Sequence, residues 1–228
     1  MTMHSQFPPY LSTQPVTQDS TWWLQRHEDK LLEKDAMKRV DLVFLGDSIT
    51  HSLETGGASV WDECYQSRRA LNLGFNGDRT EHVLWRLMNG EIDHIQPKLV
   101  VLLIGTNNTG HRMDPAEETA LGVESILSVV KRKLPNTVVL LLAIFPRSAK
   151  PTQRLRKLND EVNQKIRLFE DKINVFFLNI NHLFIDGKGE LSSNMMPDFL
   201  HPSDSQYQRI AEAIEPMIAR FLDGDSLI

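Results

Sequence analysis

Four short polar sets in this 228-residue sequence carry side chains that could work as one chemical unit. The first is Gly46–Asp47–Ser48–Ile49–Thr50, whose serine becomes a nucleophile once a neighbouring base takes its proton. Asp198 and His201 stand three apart, close enough for the carboxylate to fix the tautomer and orientation of the imidazole. Asn107, in Gly105–Thr106–Asn107–Asn108, offers amide hydrogens to a developing oxyanion. The glycines of Asn72–Leu73–Gly74–Phe75–Asn76–Gly77–Asp78 permit tight turning and close approach of backbone to ligand. Each set has a plainer reading when taken alone. Asp47 and Ser48 look equally like a helix cap, the glycines like an ordinary strand-to-helix turn, and His201 like the start of a helix. Together they supply nucleophile, base, orienter and oxyanion donors, the parts that acyl transfer needs.

The elements that must position these residues are legible as five apolar runs: Val40–Leu45, Ala70–Leu73, Leu99–Ile104, Val138–Ile144 and Val175–Ile180. Most are continuous rather than alternating, which predicts strands buried on both faces in a parallel sheet covered by helices. Helical segments are expected near Thr21–Lys38, Thr80–Met88, Pro115–Lys133, Gln153–Phe169 and Ser203–Phe221. Ser203 and Gln206 have the spacing of a capping box at the start of the last one. Strands alternating with helices predict an open α/β sandwich, whose ligand site lies beyond the carboxyl ends of the strands. All four polar sets fall at that rim. Residues 1–20, rich in Pro, Gln, Ser and Thr, are expected to form a loose arm, and residues 21–228 one domain.

Composition bounds the partners. A formal charge of −5 argues against nucleic acid, which needs a basic face. The single cysteine, Cys64, rules out an intrachain disulfide and any multi-thiolate metal site, and is expected as a buried structural residue. The histidines other than His201 show no metal-ligand spacing, and His51 and His111 are expected as pocket-lining or solvent-facing loop residues. The start of the chain lacks the basic and apolar regions of a secretory signal, and no apolar stretch is long enough to span a bilayer. A cytoplasmic location is expected. The basic residues Arg147, Lys150, Arg154, Arg156 and Lys157 read best as a solvated helix face, with an anionic headgroup or a partner subunit as the alternative.

On these blocks the chain resembles the GDSL, or SGNH, family of serine esterases and lipases. The four name-giving residues map onto Ser48, Gly74, Asn107 and His201, with Asp198 completing Asp-x-x-His and Ile49 standing where the name has Leu. Longer strings, Asn76–Gly90, Val101–Asn108 and Asp198–His201, are similar to the catalytic subunits of intracellular platelet-activating-factor acetylhydrolases. Bacterial relatives with the pattern include carbohydrate acetylesterases. The resemblance implies a flavodoxin-like three-layer α/β/α sandwich around a five-stranded parallel sheet, no metal or organic cofactor, and a homodimer. It also implies an oxyanion hole made of the Ser48 and Gly74 N–H groups and the Asn107 side chain. The residue matching Asp47 is structural in that family.

The expected reaction is hydrolysis of a small-molecule ester through an acyl-enzyme on Ser48. Ile49, Thr106 and Leu200 neighbour the catalytic groups in sequence, and bulk there predicts a preference for acetyl and other short acyl esters. Two other classes fit less well. A binding module on the same fold should have lost Ser, Asn or His from its blocks. A nucleotide-binding or phosphoacceptor domain needs a Gly-rich phosphate loop or an acidic residue where this chain has Gly105–Thr106–Asn107–Asn108. No Gly-x-Ser-x-Gly elbow is present for an α/β-hydrolase.

Overall fold

The computed structural model describes residues 10–224. Five strands, β1 (Leu42–Gly46), β2 (Ala70–Gly74), β3 (Leu99–Leu103), β4 (Val138–Leu142) and β5 (Val175–Leu178), pair in parallel in the order β2-β1-β3-β4-β5. Among the described residues seven α-helices accompany them: α1 (Thr21–Ala36), α2 (Ser48–His51), α3 (Ala58–Val60), α4 (Thr80–Met88), α5 (Ala116–Lys133), α6 (Arg154–Ile166) and α7 (Asp204–Leu222). The sheet is the expected one, with strand bounds within a few residues of the apolar runs.

Continuous apolar strands have two faces to bury, and two cores result. Val43, Leu45, Val100 and Leu102 pack against α4, α5 and α6, while Leu42, Phe44, Val101 and Leu103 pack against α7 and the 49–65 segment. Truncating a buried leucine such as Leu102 to alanine should cost about 2–5 kcal/mol. Among the described residues no helix is long and apolar enough to cross a membrane.

Two local expectations are corrected. Ser203 precedes α7 but caps it with no side-chain bond, because its hydroxyl is drawn to the Asn194 carbonyl at 3.2 Å and to Ser205. Residues 10–20 of the expected loose arm are docked, and residues 1–9 lie outside the described residues. Ser12 and Thr13 are buried, Thr80 Oγ1 donates to the Ser12 carbonyl at 2.7 Å, and Gln18 Nε2 donates to Asp78 Oδ1 at 2.7 Å. This segment is held by polar bonds rather than apolar area.

The sheet order decides where a site can form. The chain leaves β1 for β2 on one side, then crosses to β3 on the other, so the order reverses at β1. A crevice opens between the carboxyl ends of β1 and β3 at such a switch point. Ser48 follows β1 and Asn107 follows β3.

Candidate active site

Ser48 is the first residue of α2, directly after β1. Asp47 is the N-cap: its Oδ1 accepts the Ile49 N–H at 3.0 Å, and its carbonyl accepts the His51 N–H at 2.9 Å. Capping leaves the Ser48 N–H at the helix end, where no intrahelical carbonyl can accept it. Burial pushes the Asp47 carboxyl up to about 7, with Asp78 adding to the rise and the Ile49 N–H opposing it. Its role here is to cap.

The hydroxyl of Ser48 lies 2.8 Å from His201 Nε2, across 153 residues of sequence. His201 Nδ1 lies 2.6 Å from Asp198 Oδ2. The other carboxylate oxygen, Oδ1, accepts the N–H groups of Leu200 at 3.0 Å and His201 at 2.8 Å. One aspartate thus shapes the loop and orients the ring. Burial raises its pKa, but these backbone bonds and the imidazole outweigh that and hold Asp198 below the usual carboxylate range. Both side chains reach solvent, 39% exposed for His201 and 55% for Asp198, so the pair opens onto the surface. The helix that follows this loop, α7, is tied to the serine turn by Tyr207, whose hydroxyl donates to the Ile49 carbonyl at 3.0 Å.

Asn107 is buried and donates one amide hydrogen to the Asp78 carbonyl at 2.9 Å. Its second finds no acceptor among the described residues. Gly74 departs from the expected set. Its N–H is spent on Asn72 Oδ1 at 2.8 Å, and Asn72 Nδ2 in turn donates to the Thr50 carbonyl at 3.0 Å. A Cβ at Gly74 would overlap the His51 backbone nitrogen, so this glycine lets α2 lie against β2. Three residues on, Gly77 sits at φ +75°, and its N–H meets no acceptor among the described residues. The adjoining Asp78 is held from three sides: Trp23 Nε1 and Gln18 Nε2 each donate to Oδ1 at 2.7 Å, and Arg86 Nε donates to Oδ2 at 2.9 Å. Arg86, fully buried, also pairs with Glu91 and lies 3.8 Å over the Phe75 ring centroid. Burial pushes Asp78 up to about 6 against the pull of Arg86.

Of the three expected acyl neighbours, only Leu200 is partly open. Ile49 is 3% exposed and turns into the core, where it borders a narrow apolar cavity of about 30 Å³ with Phe44, Leu53, Tyr65 and Leu103. Neither Ser48 nor His201 lines that void. Thr106 is also 3% exposed, and its Oγ1 accepts from Asn159 Nδ2 at 3.3 Å and Arg147 Nη1 at 3.4 Å. Both side chains support the site from behind. His51 is half-buried under Trp22, with ring centroids 5.5 Å apart, and His111 is exposed. Cys64 is only partly buried.

In the basic stretch Lys150, Arg154 and Lys157 are exposed as expected of a solvated face, whereas Arg147 and Arg156 are not. Arg156 is buried, and its guanidinium donates to three carbonyls: Arg147 at 3.0 Å, Ser148 at 2.6 Å and Gly189 at 2.9 Å. Arg147 is half-buried and donates through Nη1 to the Thr106 carbonyl at 2.7 Å, on the peptide that carries Asn107. The sequence names Asn72, Gly77 and Asp78 only as members of the Asn72–Asp78 set, and Arg156 only within the basic stretch, without the bonding roles they have here. Gly77 and Asp78 lie inside the Asn76–Gly90 string, which was the available signal.

Residues 44–209 match the GDSL-like lipase/acylhydrolase family. Human platelet-activating factor acetylhydrolase IB subunit alpha2 is 36% identical over 203 residues, covering 88% of this chain and 85% of the relative. The fold is shared with a GDSL-like lipase from Bacteroides thetaiotaomicron (TM-score 0.71, 19% identity, 85% of this chain and 97% of the other). It is shared too with an acetylxylan esterase from Geobacillus stearothermophilus (TM-score 0.63, 18% identity, 80% and 96%). The family match spans both the serine turn and the histidine loop, and the chain belongs to the GDSL-like lipase/acylhydrolase family, whose members are ester hydrolases.

Proposed function

We propose that this chain is a serine carboxylic-ester hydrolase that works through an acyl-enzyme and prefers acetyl and other short acyl esters. One observation carries the reading: the continuous line from Ser48 Oγ to His201 Nε2 (2.8 Å) and from His201 Nδ1 to Asp198 (2.6 Å), set at a helix N-terminus. Ser48 Oγ attacks the ester carbonyl as His201 Nε2 takes its proton. Asp198 keeps Nδ1 protonated and stabilises the imidazolium. The oxyanion is held by the Ser48 N–H, the Gly77 N–H and the free amide hydrogen of Asn107; Gly77 replaces Gly74 because the Gly74 N–H is already bonded. His201 then protonates the leaving alcohol, and a water deprotonated by the same ring releases the acid and restores Ser48.

Support for a small acyl group comes from the half-buried Leu200 beside His201 and from the related human acetylhydrolase. The test is hydrolysis of 4-nitrophenyl acetate and 4-nitrophenyl octanoate by the parent and by Ser48→Ala. The parent should cleave the acetate faster, and the variant should lose on the order of 10⁵–10⁶ in turnover. Equal rates in both proteins would remove Ser48 from the chemistry. A faster octanoate would overturn the short acyl pocket.

A further inference from the structure

Arg147 stands out because it has no anionic partner among the described residues. It follows β4 at the rim of the sheet, half-buried, and its Nη1 is used by the Thr106 carbonyl. Among the described residues Nε and Nη2 have no acceptor, and neither is sealed from solvent. The neighbouring cations differ. Arg112 pairs with Glu81 and Asp114, Arg79 pairs with Glu81, and Arg156 is saturated by three carbonyls. Among the described residues Arg147 has no carboxylate within ion-pair distance, although the charges of Asp47 and Asp198 both act on it from farther away.

The seat of this guanidinium is shaped for it. A Cβ on Gly110 would collide with Arg147 Nη1, so the loop after β3 leaves the room that the planar group fills. Burial and the charges of Arg79, Arg147 and Arg112 hold His111, next to that glycine, below its ordinary pKa. Arg79 and Arg112 are themselves paired with Glu81 and Asp114, which leaves Arg147 as the uncompensated cation here among the described residues. The acidic groups whose charges reach the guanidinium are Asp47, buried and capping α2, and Asp198, bonded to His201. A half-buried cation with two free donors, beside the reacting groups, is the arrangement that takes up an oxyanion with charge-assisted hydrogen bonds.

Resting on the esterase reading, we propose that Arg147 is a specificity-determining residue. It recognises an oxyanion group, carboxylate or phosphate, on the substrate, so that esters bearing such a charge near the reacting carbonyl are favoured. The Nη1 bond to Thr106 aims the guanidinium, and the free edge meets the anion. No bond is made or broken at this residue; it contributes to binding.

The experiment compares 3- and 4-acetoxybenzoate with their neutral methyl esters, using the parent, Arg147→Met, Arg147→Lys and Gly110→Ala. For the better anionic isomer, Arg147→Met should lower kcat/KM by about 10- to 100-fold more than it does for the matched neutral ester, chiefly through KM. Arg147→Lys should fall between. Gly110→Ala, which keeps the charge but displaces it, should reproduce the selective loss. Inorganic phosphate and a carboxylate such as benzoate should compete with 4-nitrophenyl acetate in the parent and not in Arg147→Met, and their relative strengths tell which oxyanion is read. An equal loss on charged and neutral esters, with no anion inhibition of the parent, would reduce Arg147 to a positioning residue for Asn107 and overturn the proposal. Absence of hydrolysis of every ester by the parent is the separate result that removes the esterase reading itself.

Discussion

The Ser148 N–H donates to the Phe199 carbonyl at 2.8 Å, and both residues sit in the left-handed region, at φ +69° and +57°. This single bond joins the loop after β4 to the loop that carries Asp198 and His201. Left-handed backbone is unfavourable for residues with a Cβ and persists where the surroundings enforce it. Here Arg156 supplies the enforcement, through the carbonyls of Arg147 and Ser148.

Arg156→Lys should therefore act at a distance. A lysine cannot reproduce three guanidinium bonds, so stability should fall by about 1–3 kcal/mol. Release of Ser148 also frees the Phe199 bend, so kcat should drop more than KM rises. Denaturation curves and ester kinetics on the same preparation check both. An unchanged kcat in a destabilised variant would restrict Arg156 to the fold.

Asp198→Asn separates the two uses of that carboxylate. The amide oxygen can still accept the Leu200 and His201 N–H groups, so the loop should survive. Its NH₂ cannot accept from Nδ1–H, and turnover should fall by roughly 10³–10⁴. The pKa of Asp198 is depressed in the folded state, so its contribution is present above the unfolded value and lost as pH falls through the folded one. The stability gap between parent and variant should narrow below about pH 4.

Asp47→Asn reverses that sign. Folding raises this carboxyl to about 7, so its favourable contribution is full below the unfolded value and lost as pH rises through the folded one. Asparagine keeps the cap to Ile49 without the charge. Measured by urea denaturation, the variant should gain on the parent from pH 5 to pH 8 by on the order of a few kcal/mol. A constant difference would mean that Asp47 does not titrate in this range.

The oxyanion donors can be resolved separately. Asn107→Ala should cost on the order of 10²–10³ in turnover. When a phosphonate ester forms a tetrahedral adduct on Ser48, the Gly77 amide proton should move strongly downfield in the NMR spectrum. The Gly74 proton, bonded to Asn72 in both states, should stay. The opposite pattern would return Gly74 to the oxyanion hole.

How much of this was legible in the sequence depends on the range of the forces involved. Runs such as Leu99–Ile104 and Val138–Ile144 announced buried parallel strands, because continuous apolarity is a local property. Ser48, Asp198 and His201 could be paired because acyl transfer restricts which residue types can cooperate. Gly74 and Gly77 share one turn, and only the fold decides that the Asn72 side chain claims the first N–H. Arg156 read as a solvated basic residue because its three acceptors come from loops up to 33 residues away. Residues 10–20 read as loose because composition registers apolar content, whereas this segment is anchored by hydrogen bonds to Asp78, Thr80 and Glu81.

The bond from Tyr207 to the Ile49 carbonyl spans 158 residues. A ribosome delivers His201 153 residues after Ser48, so a growing chain carries the serine through all of that stretch without the imidazole proposed to activate it. Only when α7 closes onto the sheet do hydroxyl and imidazole meet. Hydrolytic competence is thus a late reporter of folding: an intermediate with the whole sheet formed but the last helix adrift would look native by secondary structure and remain inert toward ester.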